Sequence, residues 1–505
     1  MMLLLAVLCS TETWAKTNAA NTVSSPIAVV SDIHVMAPSL LPEGAETQEA
    51  WTTYYAGQHK MLQQSAAIFG QFVDDMISQS PQVVFITGDL TKDGEKASHE
   101  YLRNELQRLR DQGIRVYVIP GNHDFGESGR PTQFNADGTT EAAEVMSAED
   151  FAEFYSGYGY GEYDSEYDEN SLSYVTEPIE NLVLLAIDSH TASVPAATLS
   201  WLCEKAKAAR NEGKQVIAMM HHPLFPHITG ADLFFNTYTI ENNEAVRNAL
   251  IDAGVNVILT GHFHTSDIAK DWNDDESKAV YDVNTCSLIS YPCDYRLLTP
   301  APDMTTLKVE TNSIVPQGMS KEECKTWLQG RVKAMATDKI NAKAGSLATV
   351  TPSLVNNIAE FTANLYILHA EGDENVSANR ADLESTYISF KADFFYSFAL
   401  AFGGITDASI YSILDDISNY DTEKADQTDD RTLSIDLPEV TNKMLKGDVN
   451  GDGKVDIVDV TMTISEILGQ NPSGFNKKAA DMNGDDKIDI VDVTIIIDVI
   501  LYASV

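Results

Sequence analysis

The chain has 505 residues, 44% of them hydrophobic, and its 75 Asp and Glu against 34 Lys and Arg give a formal net charge of -41. This length predicts two to four domains with substantial cores, and the acidic balance argues against electrostatic binding to nucleic acids and other polyanions. The same excess of carboxylates suits a protein that holds cations.

The chain begins with a short apolar segment over residues 3–8, and Cys9 follows it directly. An apolar core ahead of small residues is typical of a secretory signal peptide, which we predict over residues 1–20. We therefore expect a secreted, periplasmic or cell-surface protein. A lipoprotein anchor at Cys9 is the alternative, although Leu8 is large for the position before such a cysteine. No other apolar run is long enough to span a bilayer, so we expect no transmembrane segment.

Three strand–loop–helix units follow, and each strand ends in acidic, His or Asn residues. The strands are predicted over 27–30, 83–86 and 114–120, and the turns after them contain Asp32 and His34, then Asp89, then Asn122, His123 and Asp124. Helices are predicted over 49–78 and 95–112. A single terminal Asp is often only a helix cap. Three such ends in succession instead favour a site at the carboxyl edge of an α/β sheet.

Residues 125–180 interrupt this pattern with an acidic stretch rich in tyrosine. The tyrosines are Tyr155, Tyr158, Tyr160, Tyr163, Tyr167 and Tyr174. A long loop of this kind is either a lid or substrate wall, or a surface elaboration. Both alternatives stay open at this point.

The alternation of strands and helices then resumes. Strands are predicted over 182–187, 216–220 and 255–259, and helices over 197–212 and 242–253. The second of these strands runs into His221 and His222, and the third runs into His262 and His264. Continuous apolar strands that alternate with helices predict a layered α/β domain covered on both faces.

Nine side chains at these strand ends form a candidate metal site. They are Asp32, His34, Asp89, Asn122, His123, His221, His222, His262 and His264. Carboxylate, imidazole and amide ligands suit ions such as Zn, Mn and Fe. Nine residues exceed the needs of one tetrahedral ion, and a carboxylate can bridge two ions about 3.5–4 Å apart, so we predict a dinuclear site.

The order of these motifs resembles that of the calcineurin-like metallophosphoesterases. The motifs are Asp32-Ile33-His34, Gly88-Asp89, Gly121-Asn122-His123-Asp124, His221-His222 and Gly261-His262-Phe263-His264. The resemblance implies a layered β-sandwich flanked by helices, and it implies ligands for two ions. The implied ligands are Asp32, His34 and His264 for one ion, Asn122, His221 and His262 for the other, and Asp89 as the bridge. His123 is expected beside the substrate as a catalytic residue, positioned by Asp124.

The resemblance also implies hydrolysis of phosphate esters by attack of a metal-bridging hydroxide. Lys92 stands where the purple acid phosphatases have a tyrosine ligand, which argues against a purple di-iron enzyme. The residues around Gly88 and His221 look more like those of bacterial cyclic-nucleotide and glycerophosphodiester phosphodiesterases, so a phosphodiester substrate is favoured. The alternatives are a phosphomonoesterase or nucleotidase, and a surface-assembly protein whose phosphoesterase domain is idle.

Strand-like runs over 275–315 should complete the sandwich, which gives a catalytic domain over 25–315. A mainly helical extension without a chemical motif is predicted over 316–432, with helices at 320–345 and 353–372, and a linker over 433–445. Within the extension, residues 387–390 fit either a strand or a helix. Cys286 and Cys293 have no zinc-site spacing. They could form a disulfide or remain free buried thiols.

An acidic motif near the C-terminus is repeated 33 residues later. Oxygen ligands at positions 1, 3, 5, 9 and 12, with a main-chain oxygen at position 7, match an EF-hand calcium loop. These positions hold Asp448, Asn450, Asp452, Lys454, Asp456 and Asp459 in the first copy, and Asp481, Asn483, Asp485, Lys487, Asp489 and Asp492 in the second. We therefore predict two calcium ions.

Each calcium loop leads into one apolar helix, predicted over 460–468 and 493–501, and no EF-hand helix precedes either loop. This duplicated loop–helix arrangement resembles a dockerin, a small all-α module, over residues 446–505. The resemblance implies that a cohesin or another surface protein binds near 457–458 and 490–491, which are apolar in both copies. A solvated acidic repeat without calcium is the alternative.

Overall fold

The computed structural model of the chain describes residues 25–161, 165–229, 238–273, 277–344, 351–416, 429–440, 445–451 and 453–502. The predicted signal peptide, Tyr163 and the predicted calcium ligand Asp452 lie outside these residues. Within them, no helix is both long enough and apolar enough to cross a membrane.

The strands belong to two large sheets and one small ribbon. They are β1 (Ile27–Val30), β2 (Val83–Ile86), β3 (Arg115–Val118), β4 (Thr132–Phe134), β5 (Thr140–Ala142), β6 (Glu166–Tyr167), β7 (Tyr174–Ile179), β8 (Leu182–Ile187), β9 (Gln215–Met220), β10 (Val257–Thr260), β11 (Asp267–Trp272), β12 (Ala279–Asn284), β13 (Asp294–Pro300), β14 (Thr306–Ser313) and β15 (Thr432–Asp436). The first sheet has the order β15-β14-β13-β1-β2-β3, the second β11-β12-β10-β9-β8-β7-β6, and β4 pairs with β5. Within the two sheets, β1, β2 and β3 are parallel, and so are β8, β9, β10 and β12.

Helices cover the outer faces of the sheets and form most of the C-terminal part. They are α1 (Glu49–Ala56), α2 (Ser65–Gln79), α3 (Lys96–Asp111), α4 (Ala148–Phe154), α5 (Ala196–Asn211), α6 (Asn243–Asp252), α7 (Lys321–Ala344), α8 (Pro352–Glu371), α9 (Arg380–Ala392), α10 (Phe394–Gly403), α11 (Asp407–Leu414), α12 (Ile457–Ile467), α13 (Lys477–Ala480) and α14 (Ile490–Tyr502). Residues 387–390, for which the sequence is consistent with either a strand or a helix, lie in α9.

A single large apolar core fills the space between the two sheets. Along β8, Leu184 and Ala186 pack into this core, whereas Leu185 and Ile187 pack on the opposite face with residues of α5 and α6. Successive side chains of a strand point to opposite faces, so an entirely apolar strand is one that is covered on both sides. The predicted layered α/β sandwich is therefore confirmed.

The helix predicted over 49–78 is interrupted. The first helix, α1, ends at Ala56, and α2 begins only at Ser65. Apolar residues continue through the break, which is why the sequence predicts one long helix. Met61 and Leu62 are buried in the core but are not part of a regular α-helix. The main-chain nitrogen of Met61 donates to the oxygen of Ile289 at 2.8 Å, which holds the non-helical segment against the sandwich.

Four tyrosines of the insertion are part of the core, whereas Tyr167 is 42% exposed. The side chains of Tyr155, Tyr158, Tyr160 and Tyr174 are buried in the main core. The hydroxyl of Tyr174 donates to the main-chain oxygen of Val118 at 3.0 Å, which fastens β7 to the end of β3. These described tyrosines therefore support the structure beside the site.

The helical extension packs against the loops that follow β9 and β10. Apolar residues of α8 and α9, such as Phe361 and Tyr387, form one cluster with Ile228, Tyr238 and Phe263 of the preceding domain. Phe263 lies between two of the predicted metal ligands in the sequence. The extension therefore supports the loop that carries those ligands.

Residues 433–436, predicted as the start of a linker, instead belong to β15. This strand pairs antiparallel with β14, from Glu310 opposite Thr432 to Thr306 opposite Asp436. The side chain of Ile435 is fully buried in the core. The five-residue run carried no hairpin signal because its partner strand lies more than a hundred residues earlier in the chain.

Four cysteines lie in the described residues, and all four are free thiols with buried side chains: Cys203, Cys286, Cys293 and Cys324. The disulfide alternative for Cys286 and Cys293 is thus not the one adopted here. The Cys286 thiol donates to the main-chain oxygen of His264 at 3.1 Å. Burial raises the pKa of Cys286 well above its usual value, which disfavours the reactive thiolate.

The C-terminal module has its own small core, which contains Val449, Val460, Ala480, Val493 and Ile496. Its two main helices, α12 and α14, begin three residues earlier than predicted. The reason is clear for α12, where Asp456 caps the helix and forms a reciprocal capping box with Asp459. A four-residue helix, α13, directly precedes the second calcium loop, where no preceding helix was predicted.

Candidate metal centre

Five loops carry the predicted metal ligands, and each leaves the carboxyl end of a strand. Three follow β1, β2 and β3 of the first sheet, and two follow β9 and β10 of the second. Parallel strands end at the same edge of a sheet, and that edge is where open α/β sheets place their sites. The topology therefore brings the five loops together.

Asp32, His34 and His264 form the first ligand cluster. Each offers one ligand atom, and these three atoms lie within 4.8 Å of one another. Nε2 of His264 lies 3.2 Å from Nε2 of His34 and 3.2 Å from Oδ1 of Asp32. Ligand atoms at about 2.0–2.1 Å from a tetrahedral ion lie roughly 3.3 Å apart, so the spacing fits a metal ion.

The carboxylate of Asp32 gives independent support for a cation. Asp32 is fully buried, and its Oδ1 accepts no hydrogen bond from any part of the chain that the structure describes. Its other oxygen, Oδ2, accepts from Ser31 Oγ at 2.6 Å and from the main-chain nitrogen of His262 at 2.8 Å. A buried carboxylate oxygen without a hydrogen bond is costly, and a metal ion would satisfy it.

Asp89, His221 and His262 form the second cluster. Nε2 of His221 lies 3.1 Å from Oδ1 of Asn122 and 3.4 Å from Oδ1 of Asp89. The other ring nitrogen of His221 lies 2.9 Å from the main-chain oxygen of Thr87, to which it donates. This arrangement leaves the lone pair of Nε2 for a metal ion. His222 belongs to neither cluster, and its ring lies 4.3 Å from that of His262.

Asp89 lies between the two clusters. Its Oδ2 is 3.4 Å from Nε2 of His34, and its Oδ1 faces His221. The main-chain nitrogen of His123 donates to Oδ1 at 2.8 Å, which fixes the orientation of the carboxylate. One oxygen toward each cluster is the arrangement that a bridging carboxylate requires.

Several of the predicted ligands have a left-handed backbone, which is uncommon outside glycine. Their φ angles are 49° at Asp32, 39° at His34, 48° at Asp89, 72° at His262 and 60° at His264. Such conformations cost about 1–3 kcal/mol each and persist where the surroundings enforce them. Their concentration at these loops is typical of a functional site.

The ring of His123 is positioned by Asp93 rather than by Asp124. Its Nδ1 lies 3.0 Å from Oδ1 of Asp93 and 3.0 Å from the main-chain oxygen of Lys92. The predicted role of Asp124 is therefore wrong, because its carboxylate is already occupied within the loops. It accepts hydrogen bonds from the main-chain nitrogens of Leu90, Thr91 and Gly121.

Lys92 holds the carboxylate of the Asp93–His123 pair in place. Its ammonium forms a salt bridge with Asp93 and a second one with Glu95 at 2.8 Å. The side chain of His123 is 21% exposed, whereas that of Asp93 is 5% exposed, so the imidazole faces the opening of the site. Lys92, which stands where the purple phosphatases have a tyrosine ligand, thus holds Asp93 in place. Asp93 in turn holds the partly exposed ring of His123.

Electrostatics favour charged Asp89 and neutral His262 in the protein without metal. Burial alone raises the pKa of Asp89, but His221, His123 and His34 outweigh burial and hold it well below its usual value. Burial lowers the pKa of His221, but the Asp89 carboxylate outweighs burial and raises this pKa to about 9. Burial and then the charge of His221 lower the pKa of His262 to about 3. A neutral imidazole is the form that binds metal.

His59 and Lys60 also lie at the site, although neither belongs to one of the ligand motifs. Nε2 of His59 is 3.3 Å from Nδ1 of His264, and Nζ of Lys60 is 3.4 Å from both ring nitrogens of His34. Both residues fall in the break between α1 and α2, in a stretch predicted to be helical. Gly57, the C-cap of α1, is the local residue that indicates this interruption.

A buried charge network joins the loop after β9 to β11 and β12. Nδ1 of His227 is 3.1 Å from Oδ1 of Asp267, and its Nε2 is 3.4 Å from Oδ2 of Asp282. Burial lowers the pKa of His227, but the two carboxylates outweigh burial and raise it to about 10. The folded protein therefore holds the imidazolium form at neutral pH.

We expect this histidine to make stability depend on pH. Because the folded pKa lies above the unfolded value, the stabilisation is complete below about pH 6.5 and is lost as pH rises toward 10, a change of roughly 3–5 kcal/mol. His227→Gln should remove this dependence. Urea unfolding of both proteins at pH 6.5 and pH 10 measures it, and equal pH-dependent losses in the two proteins would contradict the assignment.

Two family models match the chain. The model described as calcineurin-like phosphoesterase matches residues 25–266, and the dockerin type I domain model matches residues 446–501. Among curated proteins, a probable cyclic nucleotide phosphodiesterase of Synechococcus sp. is 38% identical over 63 residues, which is 12% of this chain. The match spans only 22% of the length of that relative.

Solved structures matched by the chain include two hydrolases. A dimetal phosphatase from Danio rerio is 14% identical, with a TM-score of 0.39, and the match covers 58% of this chain and 97% of that one. The sulfate thiohydrolase SoxB from Thermus thermophilus is 12% identical, with a TM-score of 0.32, and the match covers 64% of this chain and 62% of that one. Both TM-scores are low, so the fold rests on the strands and helices given above.

Proposed function

Because the chain contains a calcineurin-like phosphoesterase domain followed by a dockerin type I module, we propose that it is an exported, metal-dependent hydrolase of phosphate esters. The dockerin would attach it to a partner. The observation that carries the proposal is the carboxylate of Asp89, whose two oxygens face two separate ligand clusters. An intact pair of clusters argues against an idle domain.

We assign two divalent or trivalent ions, of Mn, Fe or Zn, to this centre. Their ligands would be Asp32, His34 and His264 for one ion, Asn122, His221 and His262 for the other, and Asp89 for both. Bound ions supply a lowered water pKa and offset the charge of the phosphoryl oxygens. The residues fit such ions because the chain leaves Asp32 Oδ1 without a hydrogen bond among the described residues.

His123 is the residue that we assign to proton transfer. Two oxygen acceptors, from Asp93 and Lys92, lie at its Nδ1, so this nitrogen carries a proton and donates it. In the doubly protonated ring, the remaining nitrogen, Nε2, carries a second proton, which it can give to the leaving oxygen of a substrate, and the ring is then left neutral. Asp93 keeps the ring in that orientation.

A phosphodiester is the favoured substrate class, and a phosphomonoester is the alternative. The name of the Synechococcus relative supports the diester, although the match covers a small part of both chains. The buried side chain of Lys60 lies beside His34, and its protonated form suits either anion. The choice between the two therefore needs an experiment.

The test is hydrolysis of a chromogenic phosphodiester and its monoester, side by side, by the manganese-loaded protein. His262→Ala serves as the blank, and we expect it to show no turnover while its melting temperature stays within a few degrees. Faster diester hydrolysis supports the proposal, and faster monoester hydrolysis supports a phosphatase. Turnover of either ester by His262→Ala at the wild-type rate would remove the dinuclear mechanism.

The C-terminal loops support calcium binding. Oδ1 of Asp459 accepts a hydrogen bond from the main-chain nitrogen of Val449 at 2.8 Å, and Oδ1 of Asp492 accepts one from Met482 at 2.8 Å. Each carboxylate at position 12 thus closes its loop onto the residue after position 1. We propose that the remaining oxygens of the two loops hold one calcium ion each.

An exposed apolar face would bind the partner. Ile457 and Ile490 are 68% and 67% exposed, and Val458 and Val491 are about half exposed in equivalent places on the two helices. A cohesin on another surface protein is the proposed partner. Export, to the surface, the periplasm or the medium, is part of the same proposal, because such a partner lies outside the cell.

We expect calcium to stabilise this module. One millimolar calcium should raise the melting temperature of a fragment spanning residues 446–505, because the ion binds the folded loops and not the unfolded chain. The double variant Asp459→Ala, Asp492→Ala should show no such shift. An unchanged melting temperature of the wild-type fragment on addition of calcium would contradict the dockerin assignment.

A further inference from the structure

A third group of metal-type side chains lies where the helical extension meets the catalytic domain. Glu374, from the short turn after α8, Asp416, just after α11, and Asp430, just before β15, each place a carboxylate oxygen within 4.8 Å of the others. Asp267 and His369 form an adjoining group that shares Glu374. None of these residues belongs to the two clusters described above.

The carboxylate of Glu374 has one oxygen engaged and one oxygen available. The residue is 1% exposed. Its Oε1 lies 2.6 Å from Nδ1 of His369, which donates to it. Its Oε2 is buried and accepts no hydrogen bond within the described ranges. His369 therefore fixes the orientation of this carboxylate and leaves Oε2 for another partner.

The other two carboxylates are also held in place. Oδ1 of Asp430 accepts a hydrogen bond from the main-chain nitrogen of Ile268 at 2.6 Å. Its Oδ2 accepts one from the main-chain nitrogen of Asp373 at 3.0 Å. Oδ2 of Asp416 accepts from the side chain of Asn375 at 3.2 Å. A carboxylate oxygen has two lone pairs, so each can also bind a cation. Three chain segments thus present oriented oxygens to one point.

This group of charges is unfavourable without a cation. Burial, and then the charges of Asp430, Asp416 and Asp267, raise the pKa of Glu374 well above its usual value. Burial and the charge of Asp267 do the same for Asp430. The neighbouring guanidinium of Arg296 is directed to main-chain oxygens, those of Asp430 and Asn284. Buried like charges of this kind require a proton or a positive ion.

We propose that Glu374, Asp416 and Asp430 bind a structural divalent cation of the oxygen-preferring class, for which calcium is the natural probe. Two oxygens that are both about 2.4 Å from calcium lie at most about 4.8 Å apart. The three carboxylate oxygens of this cluster lie within 4.8 Å of one another. His369 acts through Glu374 and does not bind the ion. The site is separate from the dinuclear centre and from the C-terminal calcium loops.

The cation would connect the extension to the metal centre. Asp430 also binds the main-chain nitrogen of Ile268, and the main-chain nitrogen of Ser266 donates to the oxygen of Ala370 at 3.4 Å. Both contacts lie within four residues of His264 in the sequence. Binding of the ion therefore positions the strand that leaves the catalytic loop.

The first test is a count of calcium ions bound per full-length chain, by equilibrium dialysis and elemental analysis. Glu374→Gln should bind one calcium fewer than the wild type. Glu360→Gln is the matched control, because Glu360 lies on α8 with a side chain that is 54% exposed and pairs with Lys333. It should bind the wild-type number. Because all three proteins share the other sites, the difference reports this site alone.

The second test uses thermal melting with and without 1 mM calcium, and adds Asp416→Asn in case Glu374→Gln folds poorly. Calcium should raise the wild-type melting temperature by at least about 2 °C more than that of either variant. Without metal ions, both variants should melt no lower than the wild type, since each has one buried charge fewer. Equal calcium counts in all proteins, or variants destabilised equally with and without calcium, would overturn the proposal.

Discussion

Gly261→Ala should abolish both metal binding and phosphoesterase activity, although Gly261 is not a ligand. A Cβ atom at this position would lie 1.8 Å from Oγ of Ser31 and 2.4 Å from Oδ2 of Asp32. Both atoms are buried, and they are hydrogen-bonded to each other at 2.6 Å. Neither can move without displacing the carboxylate of Asp32 from the first ligand cluster. The change also precedes His262 directly and so disturbs the second cluster.

We expect Gly261→Ala to lose at least about 100-fold in activity, since removing even an outer partner of a metal ligand costs 10–100-fold. Metal content, measured by elemental analysis, should fall with the activity. Gly70→Ala is the matched control. Gly70 lies within α2, and a Cβ there meets nothing within 4 Å. Alanine should stabilise that helix by up to about 1 kcal/mol. Wild-type metal content and rates in Gly261→Ala would contradict the packing described.

Arg296→Met should lower the free energy of unfolding by about 3–5 kcal/mol. Arg296 is fully buried, and its guanidinium donates to the main-chain oxygens of Asp430 and Asn284 and to Oγ1 of Thr311. Methionine fills a similar volume but donates no hydrogen bond to these three acceptors. The loss thus comes from missing hydrogen bonds of a buried group rather than from a cavity.

Arg115→Met provides the control for this change. Arg115 opens β3 and is exposed, so its replacement should alter stability by no more than about 0.5 kcal/mol. Urea unfolding of the three proteins under identical metal conditions measures both effects. Similar free energies of unfolding for Arg296→Met and the wild type would mean that these hydrogen bonds contribute little.

The metal ligands could be predicted because each lies in a short motif at the end of an apolar strand. The turn glycines belong to the same motifs: a Cβ at Gly121 would lie 2.2 Å from the main-chain nitrogen of Asp89, and one at Gly88 would lie 2.6 Å from Nδ1 of His221. Local sequence therefore contained both the ligands and the space that they need. Parallel pairing then brought the motifs to one edge.

The features that were missed depend on contacts between distant segments. Asp93 binds the ring of His123 across two loops, and the adjacent Asp124 was the nearer choice in sequence. Glu374 and Asp430 carry no motif, and only burial reveals that their charges are close. Likewise, β15 is a strand because β14 and the core are present, not because of its own five residues. Pairing of this kind cannot be read from periodicity alone.

The position of β15 also determines how the chain would carry a mechanical load. Any force applied through the C-terminal module reaches β15 before it reaches the metal centre. The strand resists through its five residue pairs with β14, and contacts just beyond it add to this resistance. Leu437 donates to the oxygen of Thr305 at 2.9 Å, and Arg210 to the oxygen of Pro438 at 3.0 Å. A tethered molecule under flow would thus strain this edge of the sheet first.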